Sequence, residues 1–173
     1  MNLTAVEIET DRLILRAIEI KYASEIFDAF TDEITRYMYP KPAENIDGVI
    51  DFILASVKSM EEGSNLQLVI VDKTSMEFLG CCGLHHIGTK DPELGVWIRK
   101  NRHGNKYGSE AIAGVIHWAR NNIQFDHLRY PVDKKNYASR RIPEQHKGKI
   151  EREFKSMSLA GFELDQVEYW IYK

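Results

Sequence analysis

The sequence predicts a mixed α/β (α+β) fold, with a twisted, mostly antiparallel central sheet flanked by helices. Three observations predict it. Strand-like and helix-like periodicities interleave in the order strand, helices, three strands, helix, strand, helix, two strands. The three middle strand segments are joined by turn-prone stretches too short for a crossover, so they read as an antiparallel meander. A glycine-containing basic loop then leads straight into an amphipathic helix.

The first strand segment, Val6 to Thr10 and on into Leu13 to Arg16, places apolar residues at roughly every second position. From Tyr22 to Phe30 the period changes: Tyr22, Ile26, Phe27 and Phe30 fall three or four apart, on one helix face. A second short helix follows around Asp32 to Tyr37. Pro40 and Pro42 end it, and Ile46, Val49, Ile50, Ile53, Leu54 and Val57 then form the apolar stripe of a long helix that stops near Gly63. Leu66–Val71, Phe78–Leu84 and Leu94–Ile98 are the meander, divided by Asp72-Lys73-Thr74-Ser75 and Gly88-Thr89-Lys90-Asp91-Pro92. After the loop from His103 to Gly108, Ala111, Ile112, Val115, Ile116 and Ala119 share a helix face. His127–Val132 reads as a strand and Ser139–Gln145 as a short helix. Lys149–Phe154 and Gln166–Tyr172 complete the sheet. No repeat, low-complexity tract or linker interrupts residues 1–173, which are expected to form a single domain.

Composition narrows the class of function. Hydrophobic residues at 43% and charged residues at 28% describe a globular chain with a core to bury. A formal charge of -3 lacks the dense positive field that binding a nucleic acid backbone requires. No segment approaches the roughly 18–20 consecutive apolar residues of a membrane span, and the acidic start has no export leader. The only cysteines, Cys81 and Cys82, are adjacent, where a mutual disulfide would close almost no loop. Free thiols suit a reducing compartment, and a cytoplasmic location is expected. Adjacent strand residues face opposite ways, so Cys81, Cys82, His85 and His86 do not converge on a metal, and none is expected.

The loop from His103 to Gly108 carries the clearest chemistry. The first amides of the following helix have no intrahelical partner, and the helix dipole adds partial positive charge there. Glycine allows close backbone approach, and Arg102, His103 and Lys106 can add charge-assisted contacts to phosphate oxygens. The loop taken alone reads equally well as a solvated surface turn. Neither a Gly-x-Gly-x-x-Gly opening a βαβ unit nor a Walker-type loop is present.

Glu93-Leu94-Gly95-Val96-Trp97-Ile98, a short spacer, and His103-Gly104-Asn105-Lys106-Tyr107-Gly108-Ser109-Glu110-Ala111 closely resemble the strand, pyrophosphate loop and helix of the GNAT N-acetyltransferases. Asp133-Lys134-Lys135-Asn136-Tyr137-Ala138-Ser139 resembles that family's second cofactor segment. Glu9-Thr10-Asp11-Arg12-Leu13-Ile14-Leu15-Arg16 resembles the first strand of its ribosomal-protein alanine acetyltransferase-like (RimJ/RimL-type) branch. The resemblance implies acetyl-CoA as cosubstrate and an amine, either a protein N-terminus or a small molecule, as acceptor. It implies that amides from His103 through Gly104, Asn105, Lys106, Tyr107 and Gly108 cradle the pyrophosphate. By the same resemblance, Trp97 and Ile98 pair with pantetheine, and Asn136 and Ser139 meet the cofactor's far arm. Two departures stand out. The family loop reads Arg/Gln-x-x-Gly-x-Gly/Ala, whereas here His103 comes first and Lys106 replaces the central glycine. Pro143 stands where many members carry a tyrosine that protonates the leaving thiolate.

Under this reading Glu93, opening the central strand, is the candidate general base, and its alternative is a solvated carboxylate. Tyr137 is the nearest hydroxyl able to replace the missing acid; its alternative is packing. His85, Tyr37 and Tyr39 are candidates for the acceptor wall, or for structural positions. The competing function is a noncatalytic acyl-CoA-binding module of the same fold, and the chain is expected to be a monomer or homodimer.

Overall fold

The computed structural model describes all residues, 1–173. One eight-stranded sheet runs in the order β1-β2-β3-β4-β5-β6-β8-β7. Its strands are β1 (Glu7–Glu9), β2 (Leu13–Ala17), β3 (Leu66–Asp72), β4 (Phe78–His85), β5 (Glu93–Ile98), β6 (His127–Asp133), β7 (Lys149–Met157) and β8 (Glu163–Tyr172). The helices are α1 (Ala23–Ala29), α2 (Asp32–Thr35), α3 (Ile46–Glu62), α4 (Tyr107–Asn122) and α5 (Tyr137–Gln145). All neighbouring strands are antiparallel except β5 and β6, so the mixed, mostly antiparallel class stands.

The opening segment is two strands, not one. Thr10 to Arg12 form a tight turn in which the Thr10 amide donates to Leu13 O (2.9 Å), and β1 folds back onto β2. Alternating apolar residues on both sides concealed a turn that lacks glycine and proline. The long helix begins as expected, with Asn45 accepting from the Gly48 amide (3.3 Å), and ends at Gly63 in the left-handed conformation. Its buried face differs from the expected stripe. Val49, Ile53, Ser56 and Met60 are buried, whereas Leu54 is 55% exposed. A hydrophobic surplus on a helix marks several possible faces, and the sheet selects one.

β3 and β4 are buried along nearly their whole length, as central strands covered on both faces should be. Gly80 in β4 is required by a close approach: a Cβ there would stand 2.0 Å from Trp97 O of β5. The α4 face Ala111, Ile112, Val115, Ile116 and Ala119 is buried as expected. α5 starts two residues earlier than its sequence pattern suggests, because Asn136 caps it. Near the end, Tyr169 is buried in the core, while Trp170, on the opposite face, stacks on His127 (3.8 Å between ring centroids). Cys81 and Cys82 are buried free thiols, and burial pushes both upward in pKa. No helix is long and apolar enough to cross a membrane.

Candidate active site

The sheet opens between its two parallel strands. β5 and β6 share one registered pair, Glu93 with Arg129, secured by the Arg129 amide donating to Pro92 O (2.8 Å). Beyond it they run to Ile98 and Asp133 without further pairing, which leaves a crevice at the strands' carboxyl ends. Ligands of open α/β sheets bind at such places.

The loop closes one end of this crevice. After Ile98 the chain makes a 3-10 turn at Lys100–Arg102 and enters α4 through Gly104 (φ 83°) and Lys106 (φ 61°), both left-handed. The left-handed turn at Lys106 delivers the chain directly into the first turn of α4, whose leading amides can meet an anion. The amides of Tyr107, Gly108 and Ser109 have no protein acceptor. Lys106 therefore adopts the backbone conformation that glycine reaches without strain, at about 1 kcal/mol.

Of the three basic side chains expected to assist, only Lys106 is free. Arg102 grips Glu77 with contacts of 2.7 and 3.1 Å, and His103 Nε2 lies 2.6 Å from Ile98 O. The exposed Asn105 folds back onto its own loop, its side-chain amide donating to Arg102 O (3.0 Å) and His103 O (3.3 Å). The Asn136 side chain accepts from the Ser139 amide (3.3 Å), and Ser139 Oγ lies 2.7 Å from Tyr130 OH, so both polar groups are engaged within the chain. Burial pushes the Tyr130 phenol up to about 12. Gly108 sits against Val96, Ile98 and Ile142; a Cβ there would lie 3.6 to 3.7 Å from each.

Alternation along β5 divides its side chains. Val96 and Ile98 face α4, whereas Trp97 packs on Phe30 (4.9 Å) and Phe78 (5.9 Å) on the α1 side. Glu93 and Gly95 share the face of Trp97. Glu93 is half-buried, and desolvation raises its carboxyl above the usual range while Arg129, 3.2 Å away, pulls it back. Arg129 also contacts Asp91 and Glu168 (both 3.4 Å), and Glu168, 1% exposed, accepts from Trp170 Nε1 (2.8 Å). Sequence reasoning missed Arg129, Glu168 and Tyr130, because their partners lie on strands and helices that no local spacing reveals.

His85 is paired across the ladder with Glu93, and its Nε2 reaches over Gly83 and Gly95. Burial, reinforced by His86, lowers its pKa and keeps the ring neutral at pH 7. Tyr37 lines a cavity of about 340 Å³ with Arg36, Asp133, Lys135 and Asp165, beyond the end of β6. Tyr39 is exposed, and its carbonyl accepts from the Leu159 amide (2.9 Å), which joins the α2–α3 connection to the β7–β8 turn. Tyr137 is 68% exposed, and no hydrogen bond orients its hydroxyl.

A parallel pair that parts after one register, with a left-handed loop and free helix amides at its open end, is an arrangement suited to an anionic ligand. The Acetyltransferase (GNAT) domain family matches residues 12–148, and the chain belongs to that family. It is 30% identical to the uncharacterized N-acetyltransferase YoaA of Bacillus subtilis over 138 residues, 78% of each chain. In fold it is similar to the self-immunity acetyltransferase MccE, solved with acetyl-CoA and AMP, at TM-score 0.83 and 22% identity over 95% of this chain and 94% of that one. It is also similar to Mycobacterium smegmatis RimJ, solved with CoA-disulfide, at TM-score 0.82 and 16% identity over 92% and 81%. The RimJ/RimL-type likeness is therefore one of fold. The chain is an N-acetyltransferase by family, and the members of that family use acetyl-CoA and an acceptor.

Proposed function

We propose that this chain transfers the acetyl group of acetyl-CoA to a primary amine, on a protein N-terminus or a small molecule, by direct attack in a ternary complex. The observation that carries the reading is the crevice that begins at the Glu93–Arg129 pair and ends at the free amides of α4. Those amides and the Lys106 ammonium suit a pyrophosphate, and the unpaired edge of β5 at Trp97 and Ile98 suits the two amides of pantetheine. The cosubstrate supplies a thioester, an acetyl group already activated by a good leaving thiolate.

Glu93 takes the amine proton, directly or through water, at its carboxylate oxygen. Burial raises its pKa and so strengthens it as a base, while Arg129 opposes that rise and favours the carboxylate form. A β5 backbone amide near Val96 or Trp97 stabilises the developing oxyanion. Neutral His85 walls the acceptor side without adding charge, while Tyr37 stands in a cavity whose basic residues, Arg36, Lys134 and Lys135, are matched by the acidic Asp133, Glu163 and Asp165. Tyr137, exposed and unoriented, is left out of the chemistry, and the thiolate departs unprotonated. Asn136 and Ser139 serve chiefly by fixing the start of α5 beside the crevice.

The test is release of free thiol from acetyl-CoA in the presence of a panel of N-terminal peptides and small amines. Amine-dependent release with an acidic limb that Glu93→Gln abolishes supports the reading. Thiol release that ignores every amine sinks it.

A further inference from the structure

The turn between β1 and β2 reaches across to the head of α4, at the end of the sheet where β5 finishes. Glu110, in the first turn of α4, accepts from Thr10 Oγ1 (2.6 Å), from the Arg12 amide (2.7 Å) and from Arg12 Nε (2.7 Å). The remaining end of the guanidinium donates from Nη2 to Asn105 O (2.9 Å), and its plane lies over the Tyr107 ring at 4.6 Å. One arginine thus touches the loop before Lys106, the residue after it, and the helix that follows. The turn itself is anchored, with Lys73 Nζ donating to Thr10 O (2.7 Å) and the Lys73 amide to Arg12 O (2.8 Å).

Two physical consequences follow. Lys106 occupies a strained backbone conformation, and such a residue persists only where its neighbours over-determine it. Arg12 fixes both neighbours. Glu110 also places a carboxylate in the first helical turn, where it favours the helix dipole but would oppose a bound anion. Burial works to raise its pKa, but the bonds from Thr10 and Arg12 prevail, so it is held below the usual range and stays charged. Arg12 offsets that charge at 2.7 Å.

We propose that Arg12 is a positioning residue for the cosubstrate, holding the loop from Gly104 to Gly108 in its anion-binding shape and neutralising Glu110 beneath it. This rests on the assignment of that loop to the pyrophosphate. Arg12 contributes to recognition of the pyrophosphate half of the donor and not to the pantetheine half or the chemical step.

The experiment compares binding of coenzyme A and of pantetheine, which lacks the pyrophosphate, by calorimetry. Arg12→Ala is expected to weaken coenzyme A about tenfold, in the range of one charge-assisted contact, while pantetheine stays within about twofold. Arg12→Lys keeps the charge but not the forked geometry, and is expected to lose about threefold. It serves as the deciding variant should Arg12→Ala fail to fold. Coenzyme A affinity unchanged in a folded variant overturns the proposal, as does an equal loss for both probes. Wild-type protein that binds pantetheine as tightly as coenzyme A overturns the loop assignment itself, and the role of Arg12 with it.

Discussion

The two sides of the β5–β6 crevice are built from different materials. On the α4 side the proposed cofactor site is made of backbone: left-handed residues, free amides and an unpaired strand edge. On the α1 side the proposed acceptor site is made of side chains drawn from the segment after α2, from β4 and β5, and from the end of β6. A backbone site depends on a short run of consecutive residues and leaves a motif. A side-chain site depends on which remote residues the fold brings together, and leaves none. The same contrast explains how one family can keep a common donor while its acceptors vary.

The largest expected effect separates the two sides outright. Glu93→Gln should lower kcat by about two to three orders of magnitude, the range for loss of a general base, with coenzyme A affinity unchanged. Because burial raises the Glu93 carboxyl, the wild-type rate should fall on acidification from a pH above the ordinary carboxylate range. A pH profile of kcat reads both effects. If the variant keeps the wild-type acidic limb, the proton leaves by another route.

Gly108→Trp should do the reverse. Its Cβ has room, but an indole must displace Val96, Ile98 or Ile142, so coenzyme A binding should weaken at least about a hundredfold. Loss of coenzyme A-dependent thermal stabilisation checks this, and a full shift in the variant would remove the loop from the cofactor site.

Acidification should also loosen the turn that braces the loop. The folded-state pKa of Glu110 is lowered, so its contribution is present above the unfolded value and is lost as pH falls through the lowered one. Glu110→Gln should therefore be less stable than wild type at neutral pH and converge with it in acid, as measured by denaturant titration at each pH.

Lys106→Gly sharpens the comparison at a smaller scale. Relief of the left-handed strain is worth about 1 kcal/mol and opposes the extra chain entropy of glycine. The melting temperature should hence move by only a few degrees, while loss of the free ammonium weakens coenzyme A about threefold. The smallest effect is expected for Tyr137→Phe, with kcat within about twofold, because nothing orients that hydroxyl.

Much of the fold was legible in local pattern. Short β-rich segments bounded by turn residues located β3 to β5, and the α4 face was read residue by residue, since each reports burial over a few pleats or turns. The break between β1 and β2 was not legible, because Thr10 to Arg12 carry neither glycine nor proline and owe their shape partly to Glu110, about a hundred positions away. The buried face of α3 was misjudged for a related reason: its apolar residues exceed one face, and only contact with the sheet decides which are covered.

By itself, the sequence determined the order of elements, the loop that prepares free amides at the head of α4, and the acid at the start of β5. All three depend on neighbours along the chain. Tertiary structure alone decided that β5 and β6 part after one pair, that Arg129 holds Glu93 beside buried Glu168, and that Arg12 braces the loop. Those contacts join residues tens of positions apart, and their electrostatics arise only when folding removes the water between them.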